Sequence, residues 1–277
     1  MSTSTMTKYM IINADDFGYC PKRDKAIVEL FQQKSISSTS LLVNGDNAYQ
    51  ACLYAKQYDI PMGIHLNLTE GRPVTNDLIE IKSLVNFNGM MHGKLGIRYE
   101  LDKGSIQQEH VEYEIINQFN RYKELTNGQL PKHIDGHQHI HVHPMIVESV
   151  ARLAKQFGIN YIRVPYDQMV ITWNTNNLFH NEIVNQTKEA MKIFNKYALL
   201  YCDYFFGMTT MGKEFTLNNI EKCLKILENE SKKNLLIELM CHPGYPSDPL
   251  VGGCGIGQPD AFSQSIERQH EFDILSS

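Results

Sequence analysis

Five histidines fall within eleven residues, at His133, His137, His139, His141 and His143, and Asp15 and Asp16 stand side by side in Asn13-Ala-Asp-Asp-Phe-Gly18. Imidazole nitrogens and carboxylate oxygens are the ligand set of catalytic zinc and similar divalent ions. The five histidines and Asp135 all carry odd numbers, so a wholly extended segment would put them on one face. Such a face cannot bring every member to one ion, because a catalytic zinc takes three protein ligands and a water. At least two of the five are therefore expected to pack or hydrogen-bond instead. A solvated His-rich loop is the plainer alternative, and the interleaved Ile134, Ile140 and Val142 argue for a half-buried segment. His137 is the candidate ligand, because Asp135-Gly136 turns the chain just before it.

The Asp15-Asp16 pair could cap a turn or a helix, as Asp favours both. Adjacent carboxylates directly after an apolar strand also suit a division of labour, one binding an ion and the other taking a proton from its water. His65, in Gly63-Ile-His-Leu-Asn67, sits where a lone histidine is more often a core residue, and only its company raises it to a ligand. His242 ends an apolar run at an abrupt Pro243-Gly244 turn, which it either caps or serves from as a general acid. Arg163 is a structural ion-pair partner, an orienter of Asp15 or a substrate contact, and His139 is a second candidate for orienting substrate. Cys241 is not read as a nucleophile paired with His242, because strand neighbours point to opposite faces.

The elements that must position these residues alternate between strand-like and helix-like. Strands are expected at Tyr9–Asn13, Ser37–Val43, Met62–Leu68, Lys132–Asp135, Tyr161–Val164, Tyr204–Phe206 and Leu235–Met240. Helices are expected at Lys22–Gln33, Asp46–Tyr58, from Pro144 to a stop at Gly158, at Asn218–Glu230 and at Ser263–Leu275. Repeated βα units imply a parallel sheet covered by helices. The motif residues stand where strands end, which is where (β/α) barrels carry their chemistry. With no GxGxxG after the first strand, a distorted or incomplete barrel fits better than an open doubly wound sheet. Stretches 70–105 and 166–198, rich in polar, Gly and Asn residues, are expected to be loop insertions framing the site within a single domain spanning 1–277.

Composition narrows the classes further. The net charge is -5 without a basic block, so nucleic acid has no electrostatic footprint here. No stretch approaches the roughly 20 apolar residues of a membrane span, and the polar N-terminus lacks a signal-peptide core. Six cysteines without a CxxC pair suggest reduced thiols and a cytoplasmic setting.

Taken together, the motifs resemble the YdjC-like carbohydrate deacetylases, the family of the chitooligosaccharide deacetylases. The resemblance rests on Ile12-Asn-Ala-Asp-Asp-Phe-Gly18, Ser38-Thr-Ser40, Gly63-Ile-His65 and Thr69-Glu-Gly71 with Pro73. It continues through His133-Ile-Asp-Gly-His-Gln-His-Ile-His141 with Pro144, Glu238-Leu-Met-Cys-His-Pro-Gly244, and Arg268, Glu271 and Leu275 near the end. It implies a distorted barrel of the glycoside hydrolase/deacetylase type, one divalent ion (magnesium or zinc), and hydrolysis of N-acetyl groups on N-acetylglucosamine oligosaccharides, with or without a phosphate. A homodimer is implied as well. By the same resemblance Asp16, His65 and His137 hold the metal, Asp15 is the base and His242 the acid. The chain departs from the family at Tyr19-Cys20, where Leu-Ser is common, and at Asp24, where Asn is, which puts the sugar preference in doubt. Two other classes compete, a metal-dependent phosphoesterase and a non-catalytic sugar-binding or regulatory protein. The Asp-Asp pair ending the first strand, with HxH only midway along the chain, weighs against the first; the intact candidate site weighs against the second.

Overall fold

The computed structural model describes residues 7–173, 175–246 and 265–277. The first half of the chain runs β1 (Thr7–Phe17), α1 (Pro21–Gln32), β2 (Ser38–Leu41), α2 (Ala48–Tyr58) and β3 (Met62–Leu66). Helices α3 (Lys94–Asp102) and α4 (Gln108–Leu125) then precede β4 (Ile134–Gly136) and α5 (Val147–Phe157). Next come α6 (Gln168–Thr172), α7 (Leu178–Lys196), β5 (Tyr204–Phe206), α8 (Leu217–Lys225), β6 (Asn234–Cys241) and α9 (Glu267–Leu275). Of the helix expected from Ser263, positions 263 and 264 lie outside the described residues.

The six strands are all parallel and lie in the order β4-β3-β2-β1-β6-β5. Single-residue parallel bridges at Ile134–Ile162, Tyr161–Leu200 and Asp167–Phe205 carry the pairing on from β4 towards β5. The sheet thus curls into the distorted (β/α) barrel that the sequence implied. The strand expected at Tyr161–Val164 survives only as two of those bridges, since Pro165 has no N–H to continue a ladder.

β1 is the axis of the sheet and pairs with β6 from Thr7 to Ala14. Its Ala14 and Phe17 belong to the core, and Met10 and Ile12 pack against it. The aspartate pair does not follow this strand but forms part of its end. Register with β2 slips between Ala14 and Phe17, and Asp16 adopts a left-handed φ of 66°. A bulge of this kind re-aims side chains at the rim of a barrel.

Three expectations need correction. Pro144 does not open α5, whose first turn starts at Val147 beyond a Pro144–Ile146 turn, although Gly158 closes it in the left-handed conformation as expected. The two insertions are not loops: the first contains α3 and the second contains α6 and the 19-residue α7. Buried Ile183, Val184, Thr187, Ala190 and Phe194 give α7 an amphipathic stripe that its polar and Asn residues conceal. The segment after β4 is not extended either. It tightens into a 3-10 turn over His137–Val142, with Gln138 and His139 left-handed at φ 54° and 57°. The odd-numbered histidines therefore face different surroundings.

His141 shows one of these. It is fully buried, and its Nε2–H donates to the Arg163 carbonyl at 3.0 Å. A methyl group on Gly136 would fall 2.6 Å from His141 Nδ1. Because the ring is enclosed, Gly136→Ala should destabilise the fold by about 1–3 kcal/mol, the usual result of overpacking. Chemical denaturation measures this, and wild-type stability would show that the ring has room to move.

Candidate active site

The carboxyl ends of β1, β3, β4 and β6 converge on a cavity of about 280 Å³. Asp15 and Asp16 enter it from β1, His65 from β3, His137 and His139 from the turn after β4, and His242 from just beyond β6. The structure therefore brings together every expected site residue except Arg163, which lies behind the cavity wall rather than in it.

Three donor atoms meet at the cavity floor. Asp16 Oδ1 lies 3.3 Å from His65 Nε2 and 2.9 Å from His137 Nδ1, and the two nitrogens are 3.4 Å apart. Ligands at roughly 2.0–2.1 Å around tetrahedral zinc stand roughly 3.3 Å from one another. Asp16 Oδ1 is buried and makes no hydrogen bond, so its proximity to the two rings is not hydrogen-bond geometry. Its other oxygen is engaged by two buried guanidiniums, Arg268 Nη2 at 3.0 Å and Arg23 Nη1 at 3.2 Å. Burial alone would raise the Asp16 carboxyl, but His137 and Arg268 override it and hold it well below the usual carboxylate range.

Each imidazole is held from behind by a second carboxylate. His65 Nδ1–H donates to Asp135 Oδ1 at 2.7 Å, and His137 Nε2–H donates to Glu70 Oε1 at 2.6 Å. These bonds orient both rings, so that His65 Nε2 and His137 Nδ1 face Asp16. Burial would push both rings down. For His65 the Asp135 and Asp15 charges reverse that and raise it to about 10; for His137, Asp16 and Glu70 raise it to about 9. The donor set fits a divalent ion, with Asp16, His65 and His137 as the side chains that could hold it.

Asp15 faces the same centre but is held differently. Arg163 clamps it with two hydrogen bonds, Nη1 to Oδ2 at 2.6 Å and Nη2 to Oδ1 at 2.7 Å, and Asn13 adds a third at 2.8 Å. The same guanidinium donates Nε to Glu238 at 2.7 Å and lies 3.0 Å from Asp135. Arg163 is fully buried and ion-paired to three carboxylates, which sets aside a direct contact with substrate. Asp15, His65 and Asp135 form a second cluster of potential metal ligands, but the Arg163 charge already lies against both of its carboxylates.

His242 Nε2 is 3.8 Å from Asp15 Oδ2. Glu271 accepts its backbone N–H at 2.5 Å, and Arg268 Nη1 donates to its carbonyl at 3.3 Å, so α9 fixes the position of this turn. Burial, reinforced by Arg268, pushes the His242 imidazole well below its ordinary range. His139 is also buried and pushed well below, by burial and by Arg163. Its Nδ1 makes no hydrogen bond, and its ring meets Phe205 edge-on. The backbone beneath it is secured by Arg98 of α3, whose Nη2 donates to the Gln138 carbonyl at 3.0 Å. Arg98 Nη1 reaches Glu182 at 3.2 Å and Gln186 at 3.3 Å on α7, so the two insertions meet over this turn.

Sequence reasoning assigned no role to Glu70, Asp135, Arg23, Glu238, Arg268 or Glu271. All of these but Arg23 stand inside the motifs that carry the family resemblance, and that was the one signal available.

Fold and site define a parallel α/β barrel whose strand ends carry a histidine–carboxylate centre backed by further buried carboxylates. The profile of the YdjC-like protein family matches residues 9–277, and the chain belongs to that family. A carbohydrate deacetylase of Xenopus laevis is 40% identical over 97% of this chain and 91% of its own length. A chitooligosaccharide deacetylase of Serratia marcescens is 36% identical over 56% of this chain and 58% of its own. Among solved structures, an Enterococcus faecalis protein described as a candidate for cellobiose-phosphate cleavage superposes with a TM-score of 0.76. It covers 99% of this chain and 92% of its own at 21% identity, a likeness of fold.

Arg163 yields a stability prediction. Arg163→Leu leaves three buried carboxylates without their shared cation, and removing one partner of a buried pair costs about 3–5 kcal/mol. Urea unfolding should show at least that loss, and a change below 1 kcal/mol would refute the clamp.

Proposed function

We propose that this chain is a metal-dependent carbohydrate deacetylase, a hydrolase that releases acetate from N-acetylglucosamine-containing oligosaccharides of the chitooligosaccharide type. The observation that carries the reading is the pair of imidazoles, each held from behind by a carboxylate and converging with Asp16 Oδ1. The Xenopus and Serratia relatives support the substrate class by their names.

In this reading Asp16, His65 and His137 hold one divalent ion. When bound, the ion supplies a water of lowered pKa and polarises the acetamide carbonyl. Asp15 takes the proton of that water, its carboxylate held in position by the bidentate Arg163 clamp. His242 delivers a proton to the departing amine, which would otherwise leave very poorly. The 3.8 Å between Asp15 Oδ2 and His242 Nε2 lets the proton gained on one side be returned on the other. His139, buried and lining the cavity with a free Nδ1, orients the substrate amide. No covalent intermediate is required. A single catalytic unit spanning the chain, a homodimer and a cytoplasmic setting complete the proposal. The five cysteines among the described residues are all free thiols, which suits that setting.

Two imidazoles and one carboxylate oxygen favour a zinc-class ion, because magnesium prefers an all-oxygen shell and gives up its waters reluctantly. The Asp16 oxygen engaged by two arginines strengthens that preference. Acetate release from N-acetylglucosamine oligomers, plain and phosphorylated, should vanish with chelator and return with one equivalent of zinc. Full recovery with equimolar magnesium alone would overturn the choice of ion, and phosphate release without acetate the reaction. Asp15→Asn should keep the metal yet lose on the order of 10²-fold or more in rate, as a general base does. In His65→Ala, metal content measured by elemental analysis should collapse.

A further inference from the structure

Glu70 has no part in the chemistry proposed above, yet the loop that presents it is built with unusual thoroughness. It follows β3, where Asn67 is fully buried and folds its side chain over the next three residues. Asn67 Oδ1 accepts from Thr69 N at 2.9 Å, Thr69 Oγ1 at 3.1 Å and Glu70 N at 3.1 Å, while its Nδ2 donates to the Glu70 carbonyl at 2.9 Å. Gln118 of α4 grips both backbone groups of Asn67, accepting from its N–H at 3.0 Å and donating to its carbonyl at 2.6 Å. On the far side, Thr69 and Gly71 carbonyls accept from Gly93 and Met91. These bonds tie the loop to α4 on one side and to the 91–93 segment on the other. The product of this scaffold is one carboxylate, 2% exposed, 2.6 Å from His137 Nε2.

We propose that Glu70 is a positioning residue that prepares His137 to bind the ion; the inference rests on the metal-centre reading above. A neutral imidazole carries its proton on either nitrogen, and only the Nε2–H form turns the Nδ1 lone pair towards Asp16 and His65. Glu70 selects that form by accepting the Nε2–H, fixes the ring plane, and lends negative charge that makes Nδ1 a stronger donor. His65 receives the same service from Asp135, but that carboxylate also lies against Arg163. The two ligands are therefore supported independently, one from β4 and one from the loop after β3. Losing Glu70 should weaken the grip on the ion without dismantling the Asp15–Arg163–Asp135 cluster.

Zinc is the probe, with affinity measured on metal-free protein by competition with a chromophoric chelator. Relative to wild type, Glu70→Ala should bind zinc on the order of 10–100-fold more weakly, the usual effect of removing an outer-shell partner. Glu70→Gln, whose amide oxygen still accepts the Nε2–H but carries no charge, should fall several-fold and lie between the two. In metal-free ¹⁵N-histidine-labelled protein, held at a pH well above the value of about 9 to which His137 is raised so that the ring is neutral, the His137 nitrogens should report an Nε2–H tautomer in wild type and Glu70→Gln, and a mixture in Glu70→Ala. A merely structural role would lower the unfolding midpoint and leave the zinc affinity of folded protein and the tautomer unchanged. Should Glu70→Ala not fold, Glu70→Gln carries the test alone. Wild-type zinc affinity in the folded variants, with wild type itself binding zinc, overturns this inference. A wild-type protein that binds no zinc overturns the metal reading beneath it.

Discussion

The arrangement of buried charge is the constraint that the rest of this molecule serves. Asp15, Asp16, Glu70, Asp135 and Glu238 are all buried around one end of the sheet, against the guanidiniums of Arg23, Arg163 and Arg268. Within this set the carboxylates outnumber the guanidiniums by two, and an excess of buried negative charge calls for further partners. Two sources of charge can restore the balance here. Protons on His65 and His137 do so, which is why both rings are raised despite their burial. One divalent cation held by the same nitrogens carries the same charge. The centre is thus poised between two protons and one ion, and binding an ion there must release protons.

That balance is assembled from widely separated parts of the chain. β1, at the middle of the sheet, brings the aspartates; β3 and β4 bring the histidines; the residues after β4 and the end of β6 bring Arg163, Glu238 and His242. The last element closes the ring, for α9 sends Arg268 to Asp16 and Glu271 to the His242 backbone. Two of these carboxylates serve two partners each. Asp16 shows one oxygen to the histidines and the other to the arginines, while Asp135 links His65 to the guanidinium that holds Asp15. Such coupling lets Asp15 and the Asp16–His65–His137 cluster keep a common geometry.

How much of this could be read from the sequence follows from the range of each interaction. The strands carrying motifs were legible because an apolar run ending in Asp, His or Cys-His is a local pattern, as at β1, β3 and β6. The choice of Asp16, His65 and His137 combined such patterns with family resemblance, and the structure gathers those three. Helix α7 was hidden because its buried stripe is diluted by Asn, Lys and Glu, and Gln108–Leu125 went unnoticed since Glu114 and Gln118 lie buried on its inner face. Glu70 and Arg268 had no local signal of their roles. Their partners lie 67 and 252 positions away, and no spacing rule spans that distance. His133, His141 and His143 conform to the expectation that part of the cluster packs instead of ligating. His141 is enclosed beside Gly136, while His133 lies against Gly63.

The seam made by Arg98 divides the molecule into two zones with different freedoms. On its inner side the left-handed Gln138 and His139 backbone is pinned by a guanidinium that also reaches Glu182 and Gln186. On its outer side the insertions carry exposed Leu95, Tyr99 and Leu178, which take no part in that grip. Their neighbours Lys94, Asn177, Phe179 and His180 line the cavity, so substitutions in the insertions can change its walls while Arg98 holds the turn that carries His137 and His139. The fold thereby keeps the walls of the cavity apart from the groups that anchor its floor, so that either can change without reopening the other.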